Sequence, residues 1–231
     1  MHRASCIMYH ENDMRVGIFG GTFNPIHYGH LRAAEEVREK LGLDRILFIP
    51  SGTPPLKTEE LTEAVHRYKM TRLAVVTNRF FELSDIECRH PGKSYTVKTV
   101  EELKKTSPGI DFLFILGIDA FLDISNWWNP EKLIGLMDFV VIPRSPFRFV
   151  DLLSSPYISA DEHVLKKLDA AEIESSTIKL KSNRDMIALR LPVIDISATR
   201  IRGLLSEGKS IKYLLPEAVE SYIISNKLYR S

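Results

Sequence analysis

Cysteine is scarce in this chain: Cys6 and Cys88 are the only two in 231 residues. That excludes a disulfide scaffold and suits a reducing compartment, so a cytoplasmic location is expected. Net charge is scarce too, with 31 Lys plus Arg against 30 Asp plus Glu for a sum of +1. No global field therefore recruits nucleic acid or a membrane surface, and any anion has to be bound locally. No apolar run approaches the roughly 20 residues that a membrane span needs. The first thirteen residues, where His10, Glu11 and Asp13 follow a short apolar patch, make a poor signal peptide and read as a disordered extension. The remainder, 14–231, is long enough for one well-buried α/β domain, and a homo-oligomer is left open.

What the chain does have is concentrated in the stretch Gly20-Gly21-Thr22-Phe23-Asn24-Pro25-Ile26-His27-Tyr28-Gly29-His30. Upstream, residues 15–19 read as a short buried strand. Downstream, Leu31, Ala34, Val37, Arg38 and Leu41 recur at helical spacing. A strand that ends in glycines and opens into a helix turns bare backbone N–H groups and the positive end of the helix dipole toward an anion, for which phosphate is the natural guest. His27 and His30 are three apart, so their rings project from one side of the first helical turn. An imidazole donor aimed at a phosphate oxygen stabilises charge that builds during phosphoryl transfer, a role worth about a few kcal/mol per well-placed donor. The competing readings are a solvated histidine pair or half of a zinc site. For zinc, only Glu35 and Glu36 stand near enough in sequence to complete the set, so no protein-held metal is expected.

Elsewhere, strand-like and helix-like segments alternate. Strands are expected at residues 45–50, 80–84, 111–117 and 137–142, the last two as continuous apolar runs of the kind covered on both faces. Helices are expected around Tyr68–Val75, over 96–105 and at 161–171, while the rest of 147–187 is polar and hard to read. Such alternation implies a doubly wound, mostly parallel α/β sheet with C-terminal helices, whose ligands sit at the carboxyl ends of the strands.

A second corner lies at Asp195-Ile196-Ser197-Ala198-Thr199-Arg200-Ile201-Arg202, after a strand expected at 189–194. Ser197 is the natural N-cap of the following helix. A capping box would put Glu or Gln three residues on, yet Arg200 stands there; a cation in a positive first turn points to a bound anion. Taken alone, the segment is an ordinary serine cap with solvated arginines. Gly203-Leu204-Leu205-Ser206-Glu207-Gly208-Lys209-Ser210 fits the letter of the P-loop pattern, but it continues a helix already begun at Ser197, whereas a P-loop follows a strand and opens a helix. Gly208 is expected to end that helix, and a new one starts after Leu214-Leu215-Pro216.

The pattern Gly-Gly-Thr-Phe-Asn-Pro-x-His-x-Gly-His at residues 20–30 resembles the signature of the nucleotidyltransferase superfamily with a (T/H)xGH motif. In its Asn-Pro form it is most similar to the bacterial nicotinate-nucleotide adenylyltransferases. Ile196-Ser197-x-Thr199-x-x-Arg202 resembles that family's second signature, with Ala198 where serine is usual. Arg89-His90-Pro91-Gly92-Lys93-Ser94-Tyr95-Thr96 resembles its substrate loop, and Gly117-Ile118-Asp119 with Asn126-Trp127-Trp128 its Gly-x-Asp and Trp segments. Departures are Leu56, where histidine is usual, and Arg144-Ser145-Pro146 in place of Arg-Pro-Gly.

The resemblance implies transfer of AMP from ATP to nicotinate mononucleotide, with Mg²⁺ arriving on the ATP. It implies catalytic roles for His27, His30 and Arg202. It implies ATP contacts from Gly20, Gly21, Thr22, Phe23, Gly29, Gly117, Asp119, Ser197 and Thr199. Mononucleotide contacts are implied for Asn24, Lys57, Ser94, Tyr95, Thr96, Trp127, Trp128 and Arg144. A Trp face suits stacking on an electron-poor pyridinium ring, while core packing is the common fate of such a pair and is expected of one member. Asn129 and Pro130 place the pair at a turn, which favours an exposed Trp127. The rivals are an adenylyltransferase acting on nicotinamide mononucleotide or phosphopantetheine, a cytidylyltransferase, and a non-catalytic nucleotide-sensing module on the same fold.

Overall fold

The computed structural model describes residues 14–55 and 61–229. The extension expected at 1–13, Cys6 and Lys57 lie outside these described residues. Seven strands form one sheet in the order β3-β2-β1-β4-β5-β7-β6: β1 Met14–Gly21, β2 Arg45–Pro50, β3 Phe81–Leu83, β4 Ile110–Gly117, β5 Asp138–Ile142, β6 Ser175–Lys179 and β7 Asp185–Leu189. Every neighbouring pair is parallel except β6 with β7.

The apolar runs are buried because both faces of the sheet are covered. Side chains alternate across a strand, so Val16 and Ile18 enter one core with Phe112, Phe114, Leu116, Phe139 and Val141, while Phe19, Leu113, Ile115 and Val140 enter the other. Helix α4, Thr96–Thr106, supplies Val97, Val100 and Leu103 to the first core. Helices α1 (Tyr28–Leu41), α2 (Ala64–Val75), α8 (Ala198–Ser206) and α9 (Glu217–Ser225) cover the second through Ala34, Val37, Met70, Ile201, Leu205, Val219 and Ile223. Gly17 is crowded at the centre: a Cβ there would stand 2.6 Å from Ile115 Cδ1 and 2.8 Å from Ile46 Cδ1, so these buried side chains would have to shift.

One strand is displaced from where the sequence places it. Residues 190–197 carry no regular structure, and the strand runs over Asp185–Leu189 instead. Pro192 offers no N–H to a ladder, Val193 and Ile194 face solvent, and β7 takes β6 as an antiparallel partner. The helix expected at 161–171 is the shorter Glu162–Asp169, α7, capped by the Asp161 carboxylate, which accepts the His163 N–H at 2.9 Å. Among the described residues there are also the short helices α3 (Ile86–Arg89), α5 (Ile118–Leu122) and α6 (Pro130–Leu136). Among the described residues no helix is long and apolar enough to cross a membrane.

Candidate active site

Strand order reverses between β1 and β4, since the chain builds toward β3 on one side of β1 and toward β5 on the other. The loops leaving those strands diverge there, so a crevice opens at the carboxyl ends of the sheet. Both chemical corners meet at this point.

In the first corner His27 is the N-cap of α1 and His30 its third helical residue; the His27 backbone N–H donates to His30 Nδ1 at 3.4 Å. The two rings stack with centroids 3.7 Å apart. His27 is fully buried, and neither of its ring nitrogens has a hydrogen-bond partner. Burial, and then the nearby Arg144 guanidinium, push its pKa down to about 4, so the ring is neutral at physiological pH and can offer a single N–H. The Tyr28 N–H is taken by the Leu214 carbonyl at 3.1 Å. Gly29 faces the second corner closely: a Cβ there would lie 3.0 Å from the His27 ring and 3.4 Å from the Ile196 carbonyl oxygen.

Phe23 and Asn24 are buried. The Phe23 ring stands edge-on to His30, centroids 5.2 Å apart, and so backs the imidazole. Asn24 ties three segments together, its Oδ1 accepting from the Tyr229 hydroxyl at 2.8 Å and its carbonyl from Arg202 Nη1 at 2.9 Å. Burial pushes the Tyr229 pKa up to about 12. Nothing in the sequence singled out Tyr229, which lies 205 positions from its partner.

In the second corner Ser197 is the N-cap of α8, its Oγ accepting the Arg200 N–H at 3.2 Å. Thr199 is exposed, and Arg202 reaches back from α8 to the first corner. The P-loop octet occupies the far end of this helix: α8 stops at Ser206, Gly208 takes φ +67°, and the Lys209 N–H closes on the Leu204 carbonyl at 2.7 Å. Lys209 pairs with Glu207 at 2.6 Å.

Beside the corners lies a cavity of about 770 Å³. Gly20, Gly21, Thr22, Ser94, Tyr95, Thr96, Asp119, Trp127 and Trp128 all line it. A Cβ on Gly117 would collide with the Asp119 carboxylate and lie 3.2 Å from Arg144 Cβ, so the loops after β4 and β5 adjoin. Ser94 Oγ accepts from the Gly52 and Thr53 N–H groups at 3.1 and 3.2 Å, which commits its side chain to joining two loops.

The tryptophan exposure is the reverse of the expectation. Trp128 is 48 % exposed and leans on Tyr95 at 5.0 Å between ring centroids. Trp127 packs partly against the core and donates its indole N–H to Asp123 at 3.2 Å. The turn at Asn129, φ +54°, directs the second ring outward rather than the first.

Comparisons agree with this geometry. Residues 18–204 match the family model described as cytidylyltransferase-like. Proteins from Geotalea daltonii and Geobacter sulfurreducens, each named "Probable nicotinate-nucleotide adenylyltransferase", are 42 % identical over 220 and 217 residues, covering 94 % of this chain and 98 % of each relative. A solved structure of Plasmodium falciparum nicotinic acid mononucleotide adenylyltransferase complexed with NaAD superposes with a TM-score of 0.70, covering 93 % of this chain and 97 % of that one at 24 % identity. The fold is that of a nucleotidyltransferase. The chain belongs to the cytidylyltransferase-like family and, within it, to the nicotinate-nucleotide adenylyltransferases.

Proposed function

We propose that the chain transfers the AMP moiety of ATP to the 5′-phosphate of nicotinate mononucleotide, giving deamido-NAD and pyrophosphate. The observation that carries this reading is the fully buried, neutral and unpartnered His27, set beside Arg144 where the first corner adjoins the cavity. A buried polar ring without a partner costs stability unless a ligand supplies one. An ATP phosphate in the turn does so.

An oxygen of the mononucleotide phosphate attacks the α-phosphorus in line. A new P–O bond forms while the bond to the β-phosphate bridge breaks, and pyrophosphate leaves with the electron pair, so no covalent enzyme intermediate is needed. Catalysis is then positioning plus charge neutralisation. His27 and His30 meet the developing charge as donors, with Gly20, Gly21, Thr22 and Gly29 leaving the backbone free to approach the nucleotide. Ser197 and Thr199 at the start of α8, together with Arg202, hold the leaving phosphates. Phe23 contributes as the backing of His30, Gly117 and Asp119 border the nucleoside, and Asn24 fixes the turn.

Tyr95, Trp127 and Trp128 enclose the pyridine ring. The amides around Thr96 receive its carboxylate, and Ser94 shapes that loop. Arg144 adds positive charge, and Lys57, outside the described residues, is proposed as a further phosphate contact from the family resemblance. Among the described residues no group of three or more His, Cys, Asp or Glu is placed to hold a metal. Mg²⁺ arriving with the ATP would supply charge neutralisation at the phosphates.

The test is product identity. Incubation with ATP and nicotinate mononucleotide, followed by mass spectrometry, should give deamido-NAD and pyrophosphate in equal amounts. Consumption of ATP without the dinucleotide would refute the reading.

A further inference from the structure

Arg67 has no place in that scheme, yet among the described residues it is the largest side chain buried to below 2 % exposure. Its guanidinium serves backbone carbonyls: Nε donates to Thr62 at 2.9 Å, Nη1 to Thr22 at 2.8 Å and to Ser51 at 2.5 Å, and Nη2 to Gly52 at 2.6 Å. Removing a guanidinium from water is costly. The planar fork does what an apolar side chain cannot: it draws the oxygens of the loops leaving β1 and β2 onto one plane.

Across Gly52 sits the opposite charge. Glu87 on α3 lines the cavity and accepts from the Thr99 hydroxyl at 2.8 Å, and the Ser94 hydroxyl and the Gly52 backbone lie near enough to favour its ionised form. Through Ser94 and Thr99 it grips the loop before α4 and the first turns of that helix. Arg67 and Glu87 attract one another, and Gly52 lies between them: its carbonyl accepts from Arg67 Nη2, and its amide donates to Ser94 Oγ, which adjoins the Glu87 carboxyl. A Cβ on Gly52 would strike the Glu87 carbonyl, so the contact is close.

We propose that Arg67 and Glu87 are positioning residues that act as one clamp through Gly52, fixing the turn at Thr22 relative to the loop at Ser94–Thr96. The proposal rests on the adenylyl-transfer reading, in which the first element places the ATP and the second the mononucleotide. Neither residue touches a reacting atom. Their effect is on the distance and angle between attacking oxygen and α-phosphorus, where a displacement of about 1 Å costs on the order of 100-fold in rate.

Arg67→Lys and Glu87→Gln, made singly and together in the full chain, test this. Both retain the volume of the native side chain, so folding is preserved better than in an alanine variant. Each single variant should lower kcat about 10- to 100-fold, with KM for ATP changed less than about threefold. The double variant should lose no more than the worse single one, because the two residues act through one glycine. Multiplicative losses in the double variant would overturn the clamp, as would unchanged kcat in both single variants.

Hydrogen exchange supplies a readout independent of turnover. The Gly52, Thr53 and Ser94 amides should exchange at least about tenfold faster in either single variant, while β4 amides stay unchanged. Uniform acceleration across β4 would mean a merely structural role. If the wild-type chain fails to turn over nicotinate mononucleotide, the functional reading falls, and exchange at these three amides still decides the clamp.

Discussion

His27 is a base held neutral by its burial. Its pKa is lowered from the ordinary 6.5 to about 4, first by burial and then by Arg144. A base whose folded pKa is depressed binds protons more readily when unfolded, so the stability associated with the neutral ring is intact above pH 6.5 and is lost as pH falls toward 4. The loss is on the order of 3 kcal/mol. Chemical denaturation of the wild type at pH 7 and pH 4, compared with His27→Gln, should show the wild type losing more by about that amount; equal losses would mean that the ring titrates normally. His30→Ala should lower kcat by about 100-fold or more with little change in Tm, since the donor meets charge formed only in the transition state. Lys209→Ala should leave pyrophosphate release within about twofold of wild type, because Lys209 lies past the end of α8 in an ion pair with Glu207. A dead Lys209→Ala beside an active His30→Ala would reverse these assignments.

At the scale of elements, the tryptophan segment shows what position along a chain reveals and what it does not. Trp127 is held by Asp123 and by the core while facing the cavity, so its face is fixed before any ligand arrives. Trp128 is more exposed and leans on Tyr95. Trp127→Ala should therefore raise KM for the mononucleotide about tenfold and KM for ATP less than about threefold, with Trp128→Ala giving the smaller effect. Equal shifts for both substrates would assign Trp127 to packing alone.

The turn-to-helix corners were legible because glycines, histidines and the serine cap are local signals, and α1 and α8 form where those signals place them. The strand before α8 was misplaced because Leu189–Ile194 and Asp185–Leu189 are both apolar enough, and only pairing with β6 decides between them. Arg67, Glu87 and Tyr229 went unread for a related reason. Their roles arise from long-range contacts such as Tyr229 with Asn24, which no short window contains.

Over the whole molecule, parallel order was predictable from apolar runs that need cover on both faces, and the strand reversal beside β1 then places the crevice. Burial alternates along β1 and β4 between the two cores, so the sheet is a rigid floor, and specificity falls to the loops above it. On the adenylyl-transfer reading proposed above, this crevice selects the nicotinate form of its acceptor. The start of α4 presents backbone amides beside the cavity, and Lys93 lines the same wall. Both favour a carboxylate over a neutral carboxamide. Steady-state turnover with ATP and each of the two mononucleotides in parallel decides this. A kcat/KM at least about 100-fold higher for nicotinate mononucleotide is the result predicted; equal values, or a preference for nicotinamide mononucleotide, would contradict it.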